Sequence, residues 1–357
     1  MKIAIIAITG TGARIGARLR KGLPDARLFL PAKYSGVAGC PATVFAEELK
    51  HLVKKLWCEA EGLICIMATG IVVRMVAPLL EGKDRDPAVV VMDDAGRFAV
   101  SLLSGHLGGA NELAAQCATL TGATAVITTA TDSHSLPSFD MLAKEQSWVI
   151  DDLSRIKTLN MLLLEDAGIA VVDPTGIVEQ YFAGRGKLSF YDDFPSALGS
   201  GAGGFLFVTN RVLPHRIQSP NLLILRPRNL VLGIGCNSGT KADEIDAAVR
   251  ANLERLFLSL KSVRCIASAT AKSGEAGLLA FAEKYSLPVE FHESDQLNTV
   301  EAPTPPSQHA MDAIGAAGVA EPAAILSSRG GKILAKKVKS GNVTLAVAET
   351  GHDKVRF

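Results

Sequence analysis

The sequence predicts an α/β protein of two or three domains, with mostly parallel sheets flanked by helices and a smaller α/β domain in the middle. Short runs rich in Val and Ile alternate with segments of helical period along the whole chain. Several of these runs pass into a helix through a glycine-rich loop, the punctuation of parallel βα units. At 357 residues the chain also exceeds the roughly 150 residues typical of one domain.

The opening "MKIAIIAITG" is too short in its apolar part for a signal peptide and lacks a small-residue cleavage site, so it reads as a first strand over 3–8. "TGTGARIG" follows, with Gly10, Gly12 and Gly16 in a pattern similar to a dinucleotide loop. Such a site wants a carboxylate about 20 residues on for the ribose hydroxyls, and "FLPAKYSG" stands there instead, which favours a close-packed turn. "GLICIMATGIVVRMVAPLL" has the length of a membrane span, but Arg74 lies near its middle and Gly70 and Pro78 interrupt it. It reads as a strand over 63–68, a turn and a helix. Strands over 88–92, 98–103 and 125–128 complete a first domain, 1–147.

From Trp148 the texture changes. "WVIDDLSRIKTLNMLLLEDAGIAVVDPTG" reads as a helix and a short strand, "GSGAGG" as a loop and "LLIL" as a strand, giving a middle domain over 148–228. "LVLGIGCNSGTKADEIDAAV" then opens a third domain, 229–357, with a new strand, loop and helix. The proline cluster "EAPTPPSQ" sits inside it as a surface or active-site loop.

Lysine plus arginine number 37 against 36 aspartate plus glutamate, so no basic field is available to hold nucleic acid or an anionic membrane surface. The expected partner is a small molecule or another protein chain, a homodimer included. Six widely spaced cysteines without a C-x-x-C pair suit a reducing cytoplasm, and seven histidines without zinc-like spacing predict no protein-bound metal.

Three loops are candidates for ligand binding. In "LLSGHLGGANELAAQC" the strand ends at Ser104, and Leu113, Cys117 and Leu120 form the buried stripe of a helix starting near Asn111. Gly105, Gly108 and Gly109 therefore lie where free amides and the positive helix end meet, a place for an anionic group. His106 is either a base or donor toward that ligand or a turn-former. In "GIGCNSGTKADE" the strand ends at Gly235, Thr240 reads as the N-cap and Lys241 falls in the first turn; Cys236 reads as a small buried thiol in preference to a nucleophile. Lys272 and Glu275 begin another helix, and with Arg74 and Lys83 they put cations near glycine-rich strand ends, which suits a ligand bearing several carboxylates or phosphates.

The run from "GLICIMATGIVVRMVAPLL" to "SLLSGHLGGANELA", then "VITTATD", "FDMLAK", "GIGCNSGT" and "GVAEPAAILSSRGGKILAKKVKSGNVTLAVAE", resembles the cobalt-precorrin-5A hydrolases, the CbiG family of the anaerobic cobalamin pathway. The likeness covers nearly the whole chain in the family's order. It implies a cytoplasmic enzyme without a cofactor of its own, the cobalt arriving inside a tetrapyrrole substrate. Its reaction would open the ring A δ-lactone and release acetaldehyde, giving cobalt-precorrin-5B, with neighbouring corrin-pathway enzymes as further partners.

On that resemblance His106, Asp132 and Glu321 are the catalytic candidates, either carboxylate orienting His106 or the water. Amides over 105–109 would stabilise the tetrahedral oxygen. Arg74, Ser104, Gly105, Gly108, Gly109, Asn111, Thr131, Gly235, Cys236, Thr240, Lys272 and Lys337 are the substrate-binding candidates. His134 follows "ATD" where the family generally differs and receives no role, while Pro322 is tolerated in a first helical turn. Two other readings stand beside this one: a carrier that binds the corrinoid without turnover, and a nicotinamide-dependent oxidoreductase resting on "TGTGARIG".

Overall fold

The computed structural model describes residues 1–82, 85–106, 108–129, 136–214, 217 and 219–351. The chain divides into two compact units, Met1–Met141 and Leu142–Phe357.

The first unit holds a seven-stranded sheet of β1 (Ile3–Ala7), β2 (Arg27–Pro31), β3 (Thr43–Phe45), β4 (Gly62–Ile66), β5 (Ala88–Met92), β6 (Phe98–Leu103) and β7 (Thr124–Val126), in the order β3-β2-β1-β4-β5-β6-β7. Its helices are α1 (Gly10–Gly22), α2 (Leu49–Glu59), α3 (Thr69–Val76) and α4 (Ala110–Thr121), with α5 (Phe139–Glu145) beginning at its end. Alternation along β1 sends Ile5 and Ala7 to one face and Ala4 and Ile6 to the other. Ala13 and Leu19 of α1 and Leu113 and Cys117 of α4 cover the first face; Leu52 and Leu56 of α2 and Val72 and Val76 of α3 cover the second. The segment of membrane-span length is thus β4, a turn and α3. "TGTGARIG" is a close-packed turn: Thr9 caps α1 by accepting the Gly12 amide, and a Cβ on Gly16 would sit 2.7 Å from Leu28.

Two features depart from the expected sheet. β2 and β3 were not predicted, because "RLFLP" and "TVF" are short and lie among charged and glycine-rich residues. β6 runs antiparallel to β5, and β7 pairs parallel to β6. The link 93–97 is far shorter than the dozen or more residues a parallel crossover needs, so a hairpin is forced. Its turn is closed by the Asp93 carboxylate, which accepts the Arg97 and Phe98 amides, and by Gly96 at φ +68°.

The second unit holds two five-stranded sheets. The first comprises β8 (Val149–Ile150), β9 (Ile169–Val172), β10 (Leu188–Phe190), β11 (Gly204–Val208) and β12 (Leu222–Arg226), ordered β10-β9-β11-β12-β8, parallel except for the two-residue edge strand β8. Helices α6 (Ser154–Leu164), α7 (Ile177–Phe182) and α8 (Phe194–Leu198) connect its strands. The second comprises β13 (Leu230–Cys236), β14 (Val263–Ala269), β15 (Val289–His292), β16 (Lys332–Ser340) and β17 (Val343–Glu349), ordered β15-β14-β13-β17-β16. β13, β14 and β15 are parallel, and the β16/β17 hairpin lies antiparallel on β13.

Helices α9 (Ala242–Arg255) and α10 (Ala276–Lys284) cover one face of this last sheet through Ile245, Val249, Leu253, Leu278 and Phe281. After α11 (Ser294–Asn298) and α12 (Gln308–Ile314), the alanine-rich α13 (Ala320–Ser327) covers the other. Small residues let α13 lie very close: a Cβ on Gly233 would fall 1.8 Å from the Ala320 carbonyl oxygen. Pro322 stands in the first turn of α13, as expected. Among the described residues no helix is long and apolar enough to cross a membrane.

Candidate functional site

The loop after β6 owes its position to the hairpin. Because Val89, near the start of β5, pairs with Leu103, the chain leaves β6 at the end of the sheet where β4 and β5 begin. β7, parallel to β6, exits toward Thr129 at the same end. Ser104 turns the chain there with φ +56°, a left-handed conformation that costs a non-glycine residue about 1 kcal/mol or more. Its hydroxyl donates to the Asp86 carbonyl at 2.9 Å, and its own carbonyl accepts the Ala110 amide at 3.1 Å. The Gly105 carbonyl accepts the Asn111 amide and the His106 carbonyl accepts the Gly109 amide, both at 3.0 Å. Of the amides over 105–109 expected to face an anion, that of Gly109 is therefore bonded inside the loop.

The glycines are dictated by space. A Cβ on Gly108 would lie 2.3 Å from the Ser104 Cβ, and one on Gly105 would lie 2.7 Å from Asn111 Oδ1; Gly109, the N-cap of α4, sits at φ +87°. Asn111 is held at both ends of its amide: Oδ1 accepts the Ser101 hydroxyl at 2.6 Å and Nδ2 donates to Thr129 Oγ1 at 3.0 Å. It thereby ties the start of α4 to the chain leaving β7. Thr131 and Asp132 lie outside the described residues.

The imidazole of His106 points at a carboxylate that the sequence reading missed. Nδ1 lies 3.4 Å from Oδ2 of Asp140, with the two side chains 19% and 5% exposed. Asp140 stands in the first turn of α5, where the positive helix end favours a buried anion. The signal that could have found it is "FDMLAK", one of the segments carrying the family resemblance, in which Asp140 is the acidic residue.

Arg74 is exposed on α3, beyond the opposite, carboxyl end of β4, and donates to the Gly70 carbonyl at 3.1 Å. The structure does not bring it to the His106 loop.

In the second unit, Cys236, Thr240 and Lys272 gather at the carboxyl ends of β13 and β14. Lys272 forms an ion pair with Glu275 at 3.0 Å, and Glu275 also accepts the Gly239 amide at 3.1 Å. The hydrogen bond from Lys272, followed by that from Gly239, holds the Glu275 carboxyl below the usual range. Burial pushes the Cys236 thiol up; Lys272 opposes this and Glu275 adds to it, and the net effect disfavours thiolate. Thr240 is not the N-cap of α9: its hydroxyl donates back to the Asn237 carbonyl at 2.7 Å, and Lys241 holds the cap position without a side-chain bond. Lys241 thus precedes the first turn. The space over Gly235 is filled by Thr344 and Val319, whose atoms would lie 2.6 and 3.4 Å from a Cβ.

Glu321 is 1% exposed in the first turn of α13. One carboxylate oxygen accepts the Thr304 hydroxyl and the other accepts the backbone amide of Lys337 at 2.9 Å. The second bond has a cause in the sheet. Between Ala335 and Val338 the β16/β17 register slips, so the bulge turns an amide away from the ladder and Glu321 takes it. Two residues named from the sequence, Glu321 and Lys337, are brought together in this way. Among the described residues no group of three or more His, Cys, Asp or Glu side chains is placed to hold a metal ion.

Residues 51–132 match the family model described as cobalamin synthesis G N-terminal, 137–227 the cobalamin biosynthesis central region, and 230–348 the cobalamin synthesis G C-terminus. The cobalt-precorrin-5A hydrolase of Priestia megaterium is 34% identical over 357 residues, covering 98% of this chain and 95% of that protein. That of Salmonella typhimurium is 30% identical over 349 residues, covering 97% of each. Protein CobE of Sinorhizobium sp. is 31% identical over 121 residues, covering 33% of this chain and 79% of that protein.

Proposed function

The chain belongs to the CbiG (cobalamin synthesis G) family, and on that premise we propose that it is a cobalt-precorrin-5A hydrolase of anaerobic cobalamin biosynthesis. The observation that carries this reading is identity to a hydrolase of that name along nearly the full length of both chains, 34% over 98% of this one. Water adds to the ring A δ-lactone carbonyl, the lactone C–O bond breaks, and the freed alcohol loses its proton. Its collapse breaks the neighbouring C–C bond and expels acetaldehyde, leaving the electron pair on the macrocycle as cobalt-precorrin-5B. Cobalt belongs to the substrate, and the reading assigns the protein no cofactor.

His106 is the base of this scheme, taking a proton from the attacking water or from the alcohol, a role worth about 10² to 10⁴ in rate. Its side chain is partly exposed, in a loop closed by main-chain bonds. Asp132 and Thr131 are assigned to the substrate as members of "TATD", and Ser104, Gly105, Gly108, Gly109 and Asn111 shape the loop that receives it. Lys272 and Lys337 are assigned to its acetate and propionate carboxylates, and Cys236 and Thr240 to contacts with the same substrate. Glu321 serves by holding the Lys337 bulge.

The test is anaerobic incubation with cobalt-precorrin-5A. One acetaldehyde per macrocycle is expected; tight binding without aldehyde would make the protein a carrier.

A further inference from the structure

We propose that Asp140 is a positioning residue that fixes His106 in the tautomer protonated on Nδ1, so that Nε2 is the basic atom offered to the substrate. The proposal rests on His106 being the base of the hydrolase, and it adds the group that prepares it.

Asp140 Oδ2 lies 3.4 Å from Nδ1, and its side chain is 5% exposed. A carboxylate so buried is tolerated only beside charge or hydrogen-bond donors. The first turn of α5 supplies part of that stabilisation, and an imidazole with its proton on Nδ1 supplies a donor directed at the acid. The opposite tautomer would set a lone pair against a buried anion. As His106 takes a proton on Nε2, the resulting imidazolium has an anion already at its other nitrogen, with no side chain needing to move.

Of the two carboxylates matched to the family, Asp132 lies outside the described residues, and Glu321 has both oxygens committed to Thr304 and the Lys337 amide within the second unit. Asp140 falls in the match to the central region, whereas His106 falls in the N-terminal match, so the pair joins two stretches of the chain that the family models treat apart.

The tautomer is read without any turnover. In protein labelled with [¹⁵N]histidine, the resonances of His106, assigned by their loss in H106N, are expected to report a protonated Nδ1 and a bare Nε2. Asp140→Asn is nearly isosteric but directs an amide N–H at Nδ1, and it should reverse the two. With cobalt-precorrin-5A, the same variant should lower kcat by about 10² or more and leave KM within a few-fold. Asp140→Glu should recover part of kcat.

A wild-type His106 protonated on Nε2 overturns the proposal even if D140N fails to fold. So does a folded D140N with unchanged tautomer and kcat. If the wild type releases no acetaldehyde while its His106 is held Nδ1-protonated, the hydrolase reading fails and the pairing stands.

Discussion

His106 gives the turn after β6 its carbonyl and gives the site its ring, and the two contributions separate cleanly. The Gly109 amide bonds to the main-chain oxygen of His106, so removing the imidazole leaves the turn closed. His106→Ala should therefore keep the turn and bind substrate, with some loss of stability because the buried Asp140 carboxylate loses its imidazole, while turnover falls by about 10² or more, read as acetaldehyde released per enzyme. Unchanged turnover would reduce His106 to a turn-former. This residue was legible in the sequence because a histidine among glycines between an apolar run and a helix is a local pattern. Asp140 was not, since it is 34 positions further on in the first turn of a different helix, and only the fold brings its carboxylate to the ring. Cys236 and Lys272 lie at the strand ends where the sequence put them, but the partners that decide their chemistry come from elsewhere: Glu275 pairs Lys272, and burial keeps the Cys236 thiol protonated.

Among elements, the loop 104–109 and the β16 bulge each contain a close contact that one substitution breaks. A methyl group on Gly108 would overlap the Ser104 Cβ and carbonyl, which are themselves fixed by the left-handed turn. Gly108→Ala is expected to cost about 1–3 kcal/mol in urea unfolding and to lower turnover by displacing His106. The bulge depends on Glu321. Glu321→Ala leaves the Lys337 amide and the Thr304 hydroxyl without their buried acceptor, at about 1–3 kcal/mol for each group left unpaired. Glu321→Gln keeps an oxygen for the amide and a donor for the hydroxyl, so it should stay within about 1 kcal/mol of the parent. If the glutamine variant unfolds as readily as the alanine one, the bulge needs the charge and not just the acceptor. Apolar runs flanked by glycine loops made the central strands readable, whereas direction was not: β6 looks like any parallel strand until the short link before it is counted. Short edge strands such as β3 and β8 carry too few residues for a periodic signal.

At the scale of a whole unit, polar clamps help to join the two sheets of Leu142–Phe357. Asp151, just after β8, binds Arg226 at the end of β12 at 3.1 Å and Lys261, on the approach to β14, at 3.2 Å. Glu349 of β17 accepts from Asn210 at 2.7 Å and from Asn229 at 3.0 Å. Burial alone would raise the Asp151 carboxyl, but Arg226 and then Lys261 outweigh it and hold the group below the usual carboxylate range. A folded-state value below the unfolded one means the clamp contributes fully above the ordinary aspartate pKa of about 3.9 and loses that contribution as pH falls through the depressed value. Asp151→Asn should therefore lower the melting temperature at pH 7, and the gap from the parent should narrow as both are taken below about pH 4. Other depressed carboxyls, Asp246 and Glu290 among them, titrate in both proteins, so the difference between the two melts isolates the clamp. Salt should narrow the pH 7 gap only in part, because Arg226 is 4% exposed while Lys261 is 50% exposed. A gap that stays constant from pH 7 to pH 3 would mean that the charge on Asp151 does not join the sheets.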